Sequence, residues 1–136
     1  MNANQTLEAA RASLAGALPF PEIVRLLVAN GVEYYFVDFV SKSFTFYSAA
    51  GAVSLAPLSI DDLPAVASEF NAPALRAAIL DSQQNGLKYR AFCRRAVEAG
   101  VQSYFAFLRG QRVVYIGRQG DQHTEWFPDS RPGSDT

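Results

Sequence analysis

The chain has 136 residues, 49% of them apolar and 18% charged, with a formal net charge of -1 at pH 7. This length and composition predict one folded domain with a single core, and the near-neutral charge argues against a general binder of polyanions. One cysteine, Cys93, excludes an internal disulfide framework. The apolar runs are short and interrupted by charge, and the N-terminus does not have the pattern of a signal peptide. We therefore expect a cytoplasmic protein with no membrane segment.

The first half of the chain predicts two helices followed by three strands. The helices are expected over about 5–17 and 21–30, and the second carries apolar residues at helical spacing on one face. Gly31 stands where a left-handed residue would end that helix. The strands are rich in β-branched and aromatic residues and are expected over 32–39, 43–47 and 53–55.

The second half predicts the same elements after a linker at 59–69, which we expect to be a surface loop with a helical turn. Its helices are expected over 73–84 and 89–99, with Asn71 as an N-cap and Gly100 at the end of the second. Its strands are expected over 101–108, 112–117 and 123–127. The tail at 129–136 has no apolar residue and is predicted to be disordered.

The two halves also align with each other. Residues 1–51 and 70–120, at a constant offset of 69 and without gaps, share 12 identical pairs, where about four are expected by chance. The sequence therefore predicts an α+β fold built by duplicating an α-α-β-β(-β) unit, with repeat halves 1–58 and 70–128 in one domain over 1–128. We expect a mostly antiparallel sheet of about six strands and about four helices.

A pattern in the second half carries a family resemblance. Its most specific part is the segment in which Phe92 and Cys93 are followed by Ala99-Gly100-Val101, and the run Glu125-Trp126-Phe127-Pro128 stands further on. This pattern resembles the YbcV-like family of bacterial proteins, domain-of-unknown-function family 1398, some of whose members are labelled "phage envelope protein". The match covers roughly 6–128. The resemblance implies a small α+β domain and no particular activity.

Cys93 and His123 are the first candidates for chemistry. A nucleophilic cysteine needs a lowered pKa, from a cation, a histidine or a helix N-terminus. Cys93, however, is the repeat partner of Val24 on an apolar helix face, so we expect a buried structural residue. His123 is expected to be an exposed strand residue, and a lone histidine with a lone cysteine makes a poor metal site. We therefore predict no catalytic residue, no metal site and no cofactor.

The carboxylates provide no paired-acid motif. Glu33, Asp38 and Glu125 are candidates for acid–base chemistry, and Asp38 alternates with aromatic residues on one strand. Solvated strand positions or structural partners are the favoured interpretation for all three. The sequence contains none of the motifs GxxxxGK(S/T), GxGxxG, HExxH, CxxC and GxSxG, which are typical of nucleotide-binding, metal and hydrolase sites.

Aromatic and basic residues give two further hypotheses. Both faces of the first strand of each half are apolar, so one face either is covered by other elements or binds a partner. We place Tyr35 and Tyr104, identical repeat partners, on such a partner-facing surface, with Asp38 as a further candidate binding residue. Residues 86–120 hold seven basic residues and one acidic residue, so Arg90, Arg94, Arg109 and Arg112 could form an anion site or pair with acidic residues of the first half.

These observations favour a non-enzymatic binding or protein-interaction domain that uses an aromatic sheet face or the cleft between the halves. One alternative is an anion- or nucleic-acid-binding module that uses the arginines, although a nucleic-acid partner is not favoured. Another is a small enzyme that uses Cys93 and His123. A homodimer, a small-molecule ligand and a protein partner are the expected kinds of association.

Overall fold

Four helices and six strands follow one another in the order that the periodicity predicts. The computed structural model describes residues 1–128 and residue 130, so the tail predicted to be disordered lies, apart from Ser130, outside the described residues. The helices are α1 (Ala3–Ala15), α2 (Phe20–Ala29), α3 (Ala72–Gln84) and α4 (Tyr89–Glu98). The strands are β1 (Val32–Asp38), β2 (Ser43–Ser48), β3 (Val53–Pro57), β4 (Val101–Phe107), β5 (Arg112–Gly117) and β6 (Gln122–Trp126).

Local chemistry sets the helix ends. The Asn2 side chain accepts hydrogen bonds from the first free amides of α1, and the Asn71 side chain accepts one from the Ala74 amide of α3. Gly31 and Gly100 both have positive φ, at 82° and 90°. At Gly100 a Cβ would also overlap the carbonyl group of Glu69, so this turn requires glycine for its space as well as for its conformation.

The six strands form one antiparallel sheet in the order β3-β2-β1-β4-β5-β6. The two halves meet at its centre, where β1 pairs with β4 and Tyr35 lies opposite Ala106. Each half contributes an α-α-β-β-β unit, and a register shift occurs at the start of both central strands. The α+β class, the antiparallel sheet and the four helices are confirmed. The duplication stays a prediction, which the identical element order supports.

The helices cover one face of the sheet. Along β1 and the residue that follows it, Tyr35, Val37 and Phe39 are buried, while Tyr34 and Phe36 point to the opposite face and are half-buried. The placement of Tyr35 and Tyr104 on a partner-facing surface is therefore wrong. Both side chains are only 4% exposed, because the helices of the same chain pack over them.

The linker between β3 and α3 is more buried than its composition predicts. Leu58 and Ile60 insert into the core, and the Ala67 amide donates to the Val97 carbonyl of α4. In place of the predicted helical turn, residues 61 and 62 form an isolated turn, and residues 58–71, all of which the structure describes, contain no helix. Within the described residues, no helix has the length and apolarity that a membrane span requires.

Candidate functional site

A cavity of about 450 Å³ lies between the helices of the two halves and the covered face of the sheet. We call it the inter-half cavity. The side of α1 that lines it carries Ala9, Ala10 and Ser13, and Gly16 follows at the end of the helix. These small side chains leave a space that larger residues would fill, because protein cores otherwise pack closely. Small residues of α1 therefore form part of the cavity wall.

Four tyrosines form the base of the inter-half cavity: Tyr35, Tyr89, Tyr104 and Tyr115, which we call the tyrosine cluster. They come from β1, the start of α4, β4 and β5. The Tyr89 and Tyr104 hydroxyl oxygens lie 2.5 Å apart and share a hydrogen bond. The Tyr104 ring lies 6.3 Å from that of Tyr35 and 5.4 Å from that of Tyr115, measured between centroids. The rings of the tyrosine cluster thus pack around Tyr104.

The hydroxyl of Tyr115 differs from that pair. It has no hydrogen-bond partner among the described residues, although the residue is only 6% exposed. Among the described residues, every side-chain nitrogen or oxygen that solvent cannot reach has a hydrogen-bond partner. The Tyr115 oxygen is therefore accessible to solvent. We infer that it faces the cavity that the Tyr115 side chain lines.

Burial keeps the tyrosine cluster protonated. Desolvation is the main cause that raises the pKa of Tyr35, Tyr89, Tyr104 and Tyr115 above the ordinary phenol value. For Tyr35, hydrogen bonding with Tyr104 offsets part of the rise in pKa. All four hydroxyls therefore remain neutral hydrogen-bond donors at physiological pH.

The rim of the cavity combines aromatic and charged side chains. The rings of Phe20 and Phe127 meet edge to face with their centroids 5.4 Å apart, and thereby join the start of α2 to the segment after β6. Lys88 and Glu125 also line the cavity. They bring one positive and one negative charge to the rim, so the site has no excess of either sign there.

Cys93 is buried in the core, as the sequence predicts. It is fully buried on α4, and desolvation raises the pKa of its thiol to about 12. A thiol with that pKa is protonated at neutral pH and is a poor nucleophile.

His123 places its Nε2 atom 3.1 Å from Glu125 Oε1, and its side chain is only 17% exposed. The expectation of an exposed histidine is wrong, because this pair packs toward the helices. Neither Cys93 nor His123 favours the enzyme alternative.

The arginines of α4 hold the linker. Arg90 donates to the carbonyl oxygens of Leu14 at 2.9 Å and Ser59 at 3.0 Å. Arg94 donates to the backbone carbonyl of Asp62 at 2.9 Å and to its carboxylate at 3.1 Å. These guanidinium groups connect α4 to α1 and to the linker, so their hydrogen bonds serve the fold.

The arginines near the β4–β5 turn also have partners within the protein. Arg109 forms an ion pair with Glu33 over 3.6 Å, and the guanidinium of Arg112 lies 4.1 Å from the Trp126 ring centroid. Among the four arginines that the sequence singles out, two pair with carboxylates. This arrangement does not favour an anion or nucleic-acid site.

Asp38 has a local structural role. Its Oδ1 atom accepts hydrogen bonds from the amides of Val40 at 2.9 Å and Ser41 at 3.1 Å, and so closes the turn between β1 and β2. The remaining candidate carboxylates, Glu33 and Glu125, have the basic partners described above. None of the three forms a paired-acid arrangement with another.

The second sheet face, opposite the helices, carries a continuous row of aromatic rings. We call it the open face. Tyr34 stacks on Tyr47 with centroids 4.6 Å apart, and Phe36 lies 4.5 Å from Phe105. Phe107 joins the two pairs, at 5.9 Å from Tyr34 and 5.6 Å from Phe105. At one edge of this face, Val53 and Leu55 of β3 are 58% and 71% exposed.

The fold and the cavity together define a small α+β domain with a candidate ligand pocket between two similar halves. The chain belongs to the family described as protein of unknown function (DUF1398), whose model matches residues 20–123. That match confirms the family to which the sequence resemblance points. A comparison with curated proteins finds no match.

Sequence reasoning found half of the tyrosine cluster and missed its setting. It singled out Tyr35 and Tyr104 but did not place Tyr89 and Tyr115 beside them. A usable signal was present, because Tyr89 aligns with Phe20 and Tyr115 with Phe46 in the repeat. At both positions the first half has a phenylalanine and the second half a tyrosine, so the second half gains a hydroxyl. A buried position that gains a polar group often has a partner or a ligand for it.

Proposed function

We propose that the protein is a non-enzymatic binding domain that takes a small, mainly apolar molecule into the inter-half cavity. The observation that carries this proposal is the cavity itself, an apolar space of about 450 Å³ with hydroxyl groups at its base. Ligand pockets in proteins commonly have volumes of about 300–1,000 Å³, with mostly apolar walls and a few convergent polar groups.

The side-chain chemistry of the described residues supports binding over catalysis. The buried thiol of Cys93 has a raised pKa, and the described residues contain no cluster of three or more potential metal ligands among histidine, cysteine and acidic side chains. The groups that face the cavity base are neutral hydroxyls and aromatic rings. Such groups orient a ligand through hydrogen bonds and ring contacts.

A cavity-blocking substitution tests this function. Ser13 lines the cavity from α1, so Ser13→Phe should place a ring inside it and weaken binding of the neutral dye Nile red at least tenfold. Ala15 lies on the same helix and is exposed, so Ala15→Phe adds the same ring outside the cavity and serves as the control. The measurement is dye fluorescence titrated against each folded variant. Equal affinity in the two variants, or no binding by the unaltered protein, would reject the proposal.

The open face favours a second function, self-association of two copies. Its polar side chains include Asp38, which is used in a turn, and Arg112, which is stacked on Trp126. Two such faces therefore bring together aromatic rings without a large charge of one sign, and identical chains commonly pair through a twofold axis.

The size of the open face is compatible with a small dimer interface. Six strands, about 4.8 Å apart, and about six residues per strand give a projected area of roughly 500 Å² per copy. Two copies would bury about 1,000 Å², which is near the lower limit for a specific interface. We therefore expect a weak, concentration-dependent dimer.

Sedimentation across a range of concentrations tests this association. Replacing Phe36 and Phe105 with aspartate should give a folded monomer, because buried carboxylates without partners oppose association. Val28 is 54% exposed on α2, so Val28→Asp adds a charge on another surface and should leave the dimer intact. A monomer at every concentration of the unaltered protein would refute self-association.

A further inference from the structure

The hydroxyls of the tyrosine cluster specify the chemistry of the ligand, and this inference rests on the proposed binding function. We propose that the inter-half cavity selects uncharged, mainly apolar molecules that carry one acceptor oxygen, such as a ketone or another carbonyl, and that this oxygen binds at Tyr104 and Tyr115.

Proton counting at the cavity base supports an acceptor. The Tyr89 and Tyr104 hydroxyls hydrogen-bond to each other over 2.5 Å. Tyr35 also hydrogen-bonds with Tyr104, so two hydrogen bonds join three hydroxyls and leave one O–H proton without an acceptor. When Tyr35 and Tyr89 both donate to Tyr104, that proton is the one on Tyr104. The Tyr115 hydroxyl, which has no partner among the described residues, supplies another. Two free donors near Tyr104 therefore face a space whose walls are apolar, and an acceptor oxygen would satisfy them.

Charge at the cavity excludes an ionic ligand. The described residues that line the base contribute rings and hydroxyls but no cation. Arg90 is engaged with the Leu14 and Ser59 carbonyls, and at the rim Lys88 donates to the Gly16 carbonyl over 3.4 Å. A carboxylate at the base would lose its hydration without gaining a cation, and this makes its burial unfavourable. Burial raises the pKa of Tyr104 and Tyr115, so both remain donors over the whole neutral range.

Ring contacts complete the specificity. Phe44, Phe46 and Phe92 line the same cavity, and Phe44 stacks on Tyr89 with centroids 6.3 Å apart. An aromatic or polycyclic body would meet these rings in offset or edge-to-face geometry. The cavity therefore fits a flat apolar body with its oxygen directed to the base.

Three naphthalenes of nearly equal shape separate the possible outcomes: 2-acetylnaphthalene, 2-ethylnaphthalene and 2-naphthoate. We measure the dissociation constant of each with the unaltered protein and with the double variant Tyr104→Phe/Tyr115→Phe. The double variant should bind the ketone about thirtyfold more weakly, as expected for the loss of two net hydrogen bonds. It should bind the ethyl compound within twofold of the unaltered protein, which also shows that the cavity is intact. Naphthoate should bind the unaltered protein at least tenfold more weakly than the ketone.

The control uses the same chemistry on the open face. Tyr34 and Tyr47 lie there, so Tyr34→Phe/Tyr47→Phe also removes two hydroxyls and should leave all three affinities unchanged. The infrared carbonyl stretch of the bound ketone gives an independent readout. It should lie at lower frequency in the unaltered protein than in the cavity variant.

The failures of the two proposals are distinguishable. If none of the three compounds binds the unaltered protein, the proposed binding function fails. If the compounds bind but the cavity variant retains its affinity for the ketone, or if naphthoate binds most tightly, the ligand assignment is overturned while the binding function stands.

Discussion

Alkaline pH should destabilise this protein much more than its surface composition would suggest. Five groups have a pKa that desolvation raises in the folded state: the four members of the tyrosine cluster and Cys93. Their ordinary values are 10.0 for the tyrosines and 9.0 for the thiol. As the pH rises above these values, the unfolded chain releases protons that the folded chain retains. Since stability then falls with rising pH, the destabilisation begins near pH 9 and steepens above pH 10.

The size of the effect follows from counting protons. Between pH 10 and pH 11, each tyrosine reduces the free energy of unfolding by about 1 kcal/mol and Cys93 by slightly more, for a total of about 5 kcal/mol. Domains of this kind commonly have a stability of about 5–15 kcal/mol. The loss between pH 10 and pH 11 is therefore large enough to unfold a protein of ordinary stability.

Urea unfolding followed by circular dichroism at a series of pH values measures this loss. The ultraviolet absorbance of tyrosinate should show that four tyrosines ionise only when the chain unfolds. Tyr115→Phe removes one of the five groups, so its loss between pH 10 and pH 11 should be smaller by about 1 kcal/mol. A free energy of unfolding that is the same at pH 10 and pH 11 would show that these side chains reach water in the folded state.

Two further predictions concern single positions. At pH 8, a pKa of about 12 in place of 9.0 lowers the thiolate fraction of Cys93 about a thousandfold. A thiol reagent should therefore label the native protein at least a thousandfold more slowly than the urea-unfolded chain. Rapid labelling of the native protein would contradict the buried position of Cys93. Gly100→Ala should be more destabilising than Gly31→Ala in urea unfolding, because both have positive φ but only the Cβ at 100 would strike the Glu69 carbonyl. We expect about 1 kcal/mol at Gly31 and several times that at Gly100, and equal losses would show that the carbonyl moves aside.

The sequence by itself determined the elements and the fold class. Amphipathic spacing predicted α2 and α4, and asparagine and glycine at the expected positions predicted the start of α3 and the turns after α2 and α4. These signals are local, since a helix face or a cap depends on residues within a few positions of one another. The buried state of Cys93 could also be predicted, because its repeat partner is an apolar residue on the same helix face.

The tertiary structure decided which surface the helices cover and where a cavity remains. Both faces of β1 and β4 are apolar, so the sequence could not show that Tyr35 and Tyr104 lie under the helices while Tyr34 and Phe36 do not. The tyrosine cluster depends on the pairing of β1 with β4 and on the docking of α4 above them. These contacts join residues that are far apart in the chain, and their geometry follows from packing the two halves together, which no local pattern encodes.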